Sequence, residues 1–200
     1  MTPEVAAANQ NKQVYEHGET VKHYAGATGL QPAEELLLAE YLGAGHSLLD
    51  IGVGGGRTTA ELQGRVARYV GIDYSAAMIG AAKHRFPGLD LRVMDASDLS
   101  SFPDSSFDLV LFSFNGIDYL HPASSRARCL AECRRVLKPG GRFIYSSHNP
   151  RWLVVLPDLR GASFLKVGWR LELAFVRTAA RVLVNLFRPA FWRGLHVRVS

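Results

Sequence analysis

Cysteine is nearly absent from this 200-residue chain, with only Cys129 and Cys133 present. Without neighbouring histidines or further cysteines they make a poor metal site. They lie four apart in CLAECRRVL, a stretch that reads as helix, and are expected as free thiols that could share a face. The N-terminus, MTPEVAAANQNKQ, lacks a basic segment followed by an apolar run, so no cleaved secretory signal is expected and the location is expected to be cytoplasmic. Internal repeats and low-complexity segments are missing too. What is present is 48% hydrophobic content, enough for one domain with a proper core. The net charge of +5 is unevenly spread: beyond Pro150 nine lysines and arginines face two acids, giving +7 there and −2 in the first 150 residues. That distribution argues against a chain basic throughout for nucleic-acid binding, and moves any anionic partner to the C-terminal part.

From Ser47 onward, short apolar runs alternate with helical stretches. SLLDI, RYVGID, LDLRVMD, FDLVLFS and RFIYSS have the length and composition of strands. TTAELQGRV, SAAMIGAAKHRF and PASSRARCLAECRRVL read as helices between them. Ser75 suits an N-cap, Pro122 a first helical turn, and KPGG at 138–141 a helix stop. Strand and helix in regular alternation imply right-handed crossovers and an α/β, Rossmann-like, doubly wound and mostly parallel sheet with helices on both faces. Residues 4–17 and 32–42 read as helices at the sheet's edge or over its carboxyl ends. The expected organisation is an N-terminal helical cap over 1–46, a Rossmann-like core over 47–150 and a basic helical tail or insertion over 151–200.

The stretch LLDIGVGGGRTT (48–59) ends an apolar strand on Asp50 and enters a turn with glycine at 52, 54, 55 and 56. A phosphate-binding P-loop needs a lysine that this turn lacks. A dinucleotide fingerprint counted from Gly52 and Gly54 puts Arg57 where the third glycine belongs, which weakens a nicotinamide reading without removing it. Asp73 closes the second strand, 21 residues after Gly52, where an acid can accept both ribose hydroxyls of an adenine nucleoside in either family.

The ordered series LLDIGVGGGRTT, VGIDYSAAMIGAA, MDASDL, FDLVLFSFNGIDYL and RVLKPGGRFIYSSHN resembles that of the class I S-adenosylmethionine-dependent methyltransferases over about residues 20–150. The resemblance implies S-adenosylmethionine as cofactor and a small molecule as methyl acceptor, at O, N or C. It implies that Gly52, Gly54 and Gly56 border the cofactor's methionine part, with Asp50 supporting its amino group. Asp73 would bind the ribose hydroxyls, Tyr74 would lie against the adenine, and Asp95 with Ala96 would meet the adenine amino edge. Tyr24 would close over the cofactor. Val53 and Gly55 stand where relatives often have cysteine and threonine. Phe112, inside an apolar strand, reads as core. The alternative, from another class, is an adenosyl-binding module without turnover that docks to a membrane or partner.

Methyl transfer from a sulfonium needs alignment more than side-chain chemistry, which fits the lack of a Ser/His/Asp set. A base is needed only if the acceptor must lose a proton. His148, directly after a strand end, is the first candidate, with Asn115 in the loop after the fourth strand as a second catalytic candidate that would also touch cofactor. Asp118, Tyr119, His121, His17 and His23 are further polar groups near the expected site. A metal at Asp118, His121 and His148 is not expected.

The tail departs from the family pattern. A complete fold of this class has two more strands, the last antiparallel, whereas LHVRVS at 195–200 supplies at most one, so the C-terminal strands are expected to be abbreviated or cut short. FLKVGWRLELAFVRTAARVLVNLFR instead reads as one helix on which Lys166, Arg170, Arg177, Arg181 and Arg188 fall within about 60°. It suits a solvated face over the site, peripheral membrane contact through 164–188, or a partner chain. An apolar lid would also suit an apolar acceptor.

Overall fold

The structure, a computed structural model, describes residues 14–148. All of them fall in the first of two units, 1–148 and 149–200. The expected helix over 164–188, the strand at 195–200, and the first ten residues of the helix expected over 4–17 lie outside the described residues.

Five strands form one sheet, all parallel: β1 (Ser47–Ile51), β2 (Arg68–Asp73), β3 (Asp90–Val93), β4 (Phe107–Phe112) and β5 (Leu137–Tyr145), in the spatial order β3-β2-β1-β4-β5. The expected Rossmann-like architecture is the observed one. Strand alternation separates two apolar layers. Leu49, Ile51, Val110 and Phe112 belong to one cluster, completed by Cys129, Cys133 and Val136 of helix α5 (Ala123–Val136). Leu48, Leu109 and Leu111 belong to the other, completed by Ile79 and Ala82 of α4 (Ala76–Arg85) and Leu38 of α2 (Pro32–Tyr41). Helices thus cover both faces. The two thiols do share a face, with their sulfurs 4.0 Å apart, and both are buried and free.

Local sequence accounts for most boundaries. Ser75 caps α4, its hydroxyl accepting from the Met78 amide at 3.2 Å. α2 starts with Pro32 in its first turn and a capping box between Gln31 and Glu34. Pro122 stands at the N-cap of α5 rather than inside its first turn. The helix expected over 58–66 is shorter: α3 spans Thr59–Leu62 and tightens into a 3₁₀ turn at Gln63–Arg65, which contains Gly64. KPGG follows the end of α5 as expected, but lies inside β5 as an irregularity, with Leu137 opposite Phe107 and Arg142 opposite Leu109.

One helix was not expected: α1 (Gly18–Gly26), a nine-residue element that buries no residue and is bounded by glycine at both ends. The sheet's two halves run outward from β1, since β2 and β4 flank it, and this strand-order reversal opens a crevice at the carboxyl ends.

Candidate active site

The turn after β1 is bound to β2 by backbone and to the second strand's terminal acid by side chain. The Gly52 and Val53 amides donate to the Ile72 carbonyl at 2.8 and 3.1 Å. The Gly54 amide donates to Oδ2 of Asp73 at 3.0 Å, while Oδ1 of the same carboxylate accepts from the Ser75 amide at 2.9 Å. Asp73 therefore fixes both the glycine turn and the start of α4. Burial pushes its carboxyl up despite these two amide bonds. Gly54 has a φ of +53°, and a side chain placed there would enter open space on the cavity side.

Asp50 departs from its expected position. It is fully buried, and its Oδ2 accepts from the hydroxyls of Thr58 and Tyr69. It stands behind the turn instead of on the cavity wall, because strand alternation points it to the face of Leu48 and Tyr69. Burial pushes its carboxyl up to about 6, and Oδ1 has no hydrogen-bond partner. Gly56 is also absent from the cavity wall; a side chain there would meet the Phe86 ring.

The N-terminal segment closes directly onto the turn. A Cβ at Gly55 would lie 2.5 Å from the Ala25 backbone, so only glycine admits α1 at this distance. Arg85 donates to the Gly55 carbonyl at 2.6 Å, and Arg57 forms a buried clasp: Nη1 and Nη2 each reach Glu34 at 2.8 Å, Nη1 reaches the Gly29 carbonyl at 2.8 Å and Nη2 the Ser113 hydroxyl at 2.9 Å. Its guanidinium lies 5.3 Å from the Phe114 ring centroid. The clasp joins the segment before α2, the glycine turn and the end of β4. Sequence reasoning missed it because 23 residues separate Arg57 from Glu34.

These elements enclose a cavity of about 780 Å³. Of the expected cofactor residues, Tyr24, Gly52, Gly54, Asp73, Tyr74, Asp95 and Ala96 line it. Asp95 itself accepts the Ser97 amide at 2.7 Å. Tyr74 presents a buried hydroxyl without a partner. Tyr15, which the sequence did not single out, joins the wall, its ring 5.7 Å from Tyr24, 6.1 Å from Tyr74 and 6.2 Å from Tyr119. Phe112 is buried, as expected of a core aromatic, and also lines the cavity.

Asn115 and His148 stand outside this lining, beside it. The loop after β4 holds Phe114 and Asn115 in the left-handed region, at φ 54° and 60°, and then makes a 3₁₀ turn over Gly116–Tyr119. The Ser146 hydroxyl at the end of β5 accepts the Asn115 amide at 2.8 Å. Asp118 receives the Ser147 hydroxyl and two groups of His148, and these bonds outweigh burial to hold its carboxyl below the usual range. His23 and His121 line the cavity; His17 does not. Among the described residues no group of three or more His, Cys, Asp or Glu side chains is placed to hold a metal ion, and no helix is long and apolar enough to cross a membrane.

Residues 49–145 match the family model described as a methyltransferase domain. The chain is 39% identical over 110 residues to the phthiotriol/phenolphthiotriol dimycocerosates methyltransferase of Mycobacterium tuberculosis, a match covering 53% of this chain and 39% of that protein. It is 37% identical over 109 residues to the demethylmenaquinone methyltransferase of Beutenbergia cavernae, covering 54% and 43%. A crystal structure of a SAM-dependent methyltransferase from Methanosarcina mazei superposes with a TM-score of 0.51 at 32% identity, over 58% of this chain and 57% of that one. The matches span 30% to 43% of the length of the curated relatives. The glycine turn, the acid at the end of β2 and the family match fall on the same core, and that core is a methyltransferase domain of the class I S-adenosylmethionine-dependent type.

Proposed function

We propose that this protein transfers a methyl group from S-adenosylmethionine to a small-molecule acceptor. The observation that carries the reading is Asp73: a buried carboxylate that lines the cavity while tying the glycine turn to α4. The residues fit the cofactor. A carboxylate only accepts hydrogen bonds, as a ribose diol requires, and Gly54, which lines the cavity with no atom within 4 Å of where a side chain would start, admits a ligand against bare backbone. When bound, the cofactor supplies a methyl on a sulfonium whose leaving group departs as a neutral thioether.

In this reading Asp73 binds the ribose hydroxyls, Tyr74 lies against the adenine, Asp95 and Ala96 meet its amino edge, and Gly52 and Gly54 border the methionine part. Asp50 and Gly56 act one step back, by shaping the turn. Tyr24, on a helix seated over Gly55, closes the cavity and excludes water. Asn115 and His148 flank the acceptor end. Tyr15, Tyr24, Phe114, Tyr119 and Leu120 surround that end with apolar surface, which supports an acceptor with an apolar part. The two relatives carry in their names demethylmenaquinone and phthiotriol/phenolphthiotriol dimycocerosates.

Calorimetric titration with S-adenosylmethionine, S-adenosylhomocysteine and NAD tests the reading, and a response to NAD alone overturns it. Asp73→Ala removes hydrogen bonds to a charged acceptor, each worth roughly 1.5–3 kcal/mol, so affinity for S-adenosylhomocysteine is expected to fall at least about tenfold. A folded Asp73→Ala protein that binds as tightly as the parent refutes the ribose assignment.

A further inference from the structure

The loop after β4 and the end of β5 meet in an arrangement that cofactor binding alone does not require. Oδ2 of Asp118 accepts the His148 backbone amide at 2.7 Å and lies 2.8 Å from Nδ1 of its ring, while Oδ1 accepts the Ser147 hydroxyl at 2.8 Å. On the ring's far side, Nε2 lies 3.5 Å from the Asn115 side-chain amide. The His148 ring stands 6.3 Å from that of Tyr119, a cavity-lining residue, and its side chain is 58% exposed.

We infer that Asp118 is a positioning residue that holds His148 as a proton acceptor beside the cavity, so that the methyl acceptor is an atom that must give up a proton. The inference rests on the methyltransferase reading of the cavity. An ionised carboxylate donates nothing, so the proton shared with Asp118 belongs to Nδ1, and the neutral ring then keeps its lone pair on Nε2. The Asn115 amide can donate toward that same lone pair, which agrees with this tautomer. Two bonds already pin the strand end to the loop, through the Ser147 hydroxyl and the His148 backbone. The bond to the ring adds nothing to that tether except the ring's orientation and tautomer. In the reaction, the acceptor's proton passes to Nε2 as its electron pair forms the bond to the methyl carbon, and the carbon–sulfur pair stays on the departing thioether. A thioether or tertiary amine acceptor would need no such group.

The test is the ring tautomer, read from long-range proton–nitrogen correlations of ¹⁵N-labelled protein at alkaline pH, with His148→Gln identifying the signals. The expected result is Nδ1–H with unprotonated Nε2 in the parent, loss of that preference in Asp118→Ala, and its partial retention in Asp118→Asn, whose carboxamide oxygen still accepts. Saturating S-adenosylhomocysteine is expected to shift the Nε2 signal. An Nε2–H tautomer in the parent, an unchanged tautomer in Asp118→Ala, or an Nε2 signal indifferent to bound S-adenosylhomocysteine overturns the inference. If Asp118→Ala does not fold, the parent and Asp118→Asn still decide. Calorimetry on the same samples separates the two readings: a parent that does not bind S-adenosylhomocysteine overturns the proposed function, whereas binding accompanied by the wrong tautomer overturns only the role of Asp118.

Discussion

Asp50 gives this fold a titration of its own. Burial carries its carboxyl from 3.8 to about 6, with the Thr58 and Tyr69 hydroxyls offsetting only part of that shift. The folded state therefore holds a proton that the unfolded chain releases between those values. The resulting stability is fully present below the lower value and is lost as pH rises through the higher one. Asp50→Asn abolishes the titration. It is expected to gain on the parent by on the order of 3 kcal/mol between pH 4 and pH 7, and thermal unfolding of both proteins across that range checks it. Parallel curves would show that Asp50 does not titrate there. Glu34, Asp108 and Asp118 shift the opposite way, so the comparison with the parent, not the parent's own curve, isolates Asp50.

At the level of elements, the cap meets the core through apolar packing at Leu38 and through the Arg57 clasp. Arg57 and Glu34 retain only 13% and 8% of their side-chain exposure. Removing one partner of such a buried pair leaves the other charge stranded, at a cost of about 3–5 kcal/mol. Arg57→Ala is expected to lose that amount in urea unfolding, and adding Glu34→Leu to recover part of it, since the stranded carboxylate is then gone. An additive double variant would mean the pair is not coupled. α1 presents the contrasting case. None of its residues is buried, yet His23 and Tyr24 line the cavity. Its amides are expected to exchange with solvent well before those of β1 and β4, and to slow when S-adenosylhomocysteine binds, as read by hydrogen exchange on peptides covering residues 18–28. Equal protection with and without ligand would place the cofactor away from this helix.

Across the whole molecule, what the sequence revealed was local or periodic. Alternating strands and helices, the Ser75 cap and the spacing from the glycine turn to Asp73 all follow from short-range rules, and the parallel sheet follows from their order. The position of Asp50 was legible in principle: Leu49 and Ile51 share one face of β1, so Asp50 shares the other with Leu48. Three features had no local signal. Arg57 meets Glu34 across 23 residues, Asp118 meets His148 across 30, and Arg85 meets Gly55 across 30. α1, nine residues long, bounded by Gly18 and Gly26 and burying no residue, offered too short a pattern to single out.

The strand-order reversal beside β1 has a consequence for how such a protein can diverge. Gly52, Gly54, Asp73, Tyr74 and Asp95 lie at or just beyond the ends of β1, β2 and β3, whereas Phe114, Asn115, Asp118 and His148 follow β4 and β5. In the proposed reading, donor and acceptor chemistry thus occupy opposite sides of one seam, and a lineage could rewrite one without revisiting the other. Replacing residues 114–122 with the corresponding loop of a relative is expected to change which compounds are methylated, while S-adenosylhomocysteine affinity stays within a few-fold by calorimetry. A graft that abolished cofactor binding would mean the seam is no boundary, and that new specificities here must arise on both sides at once.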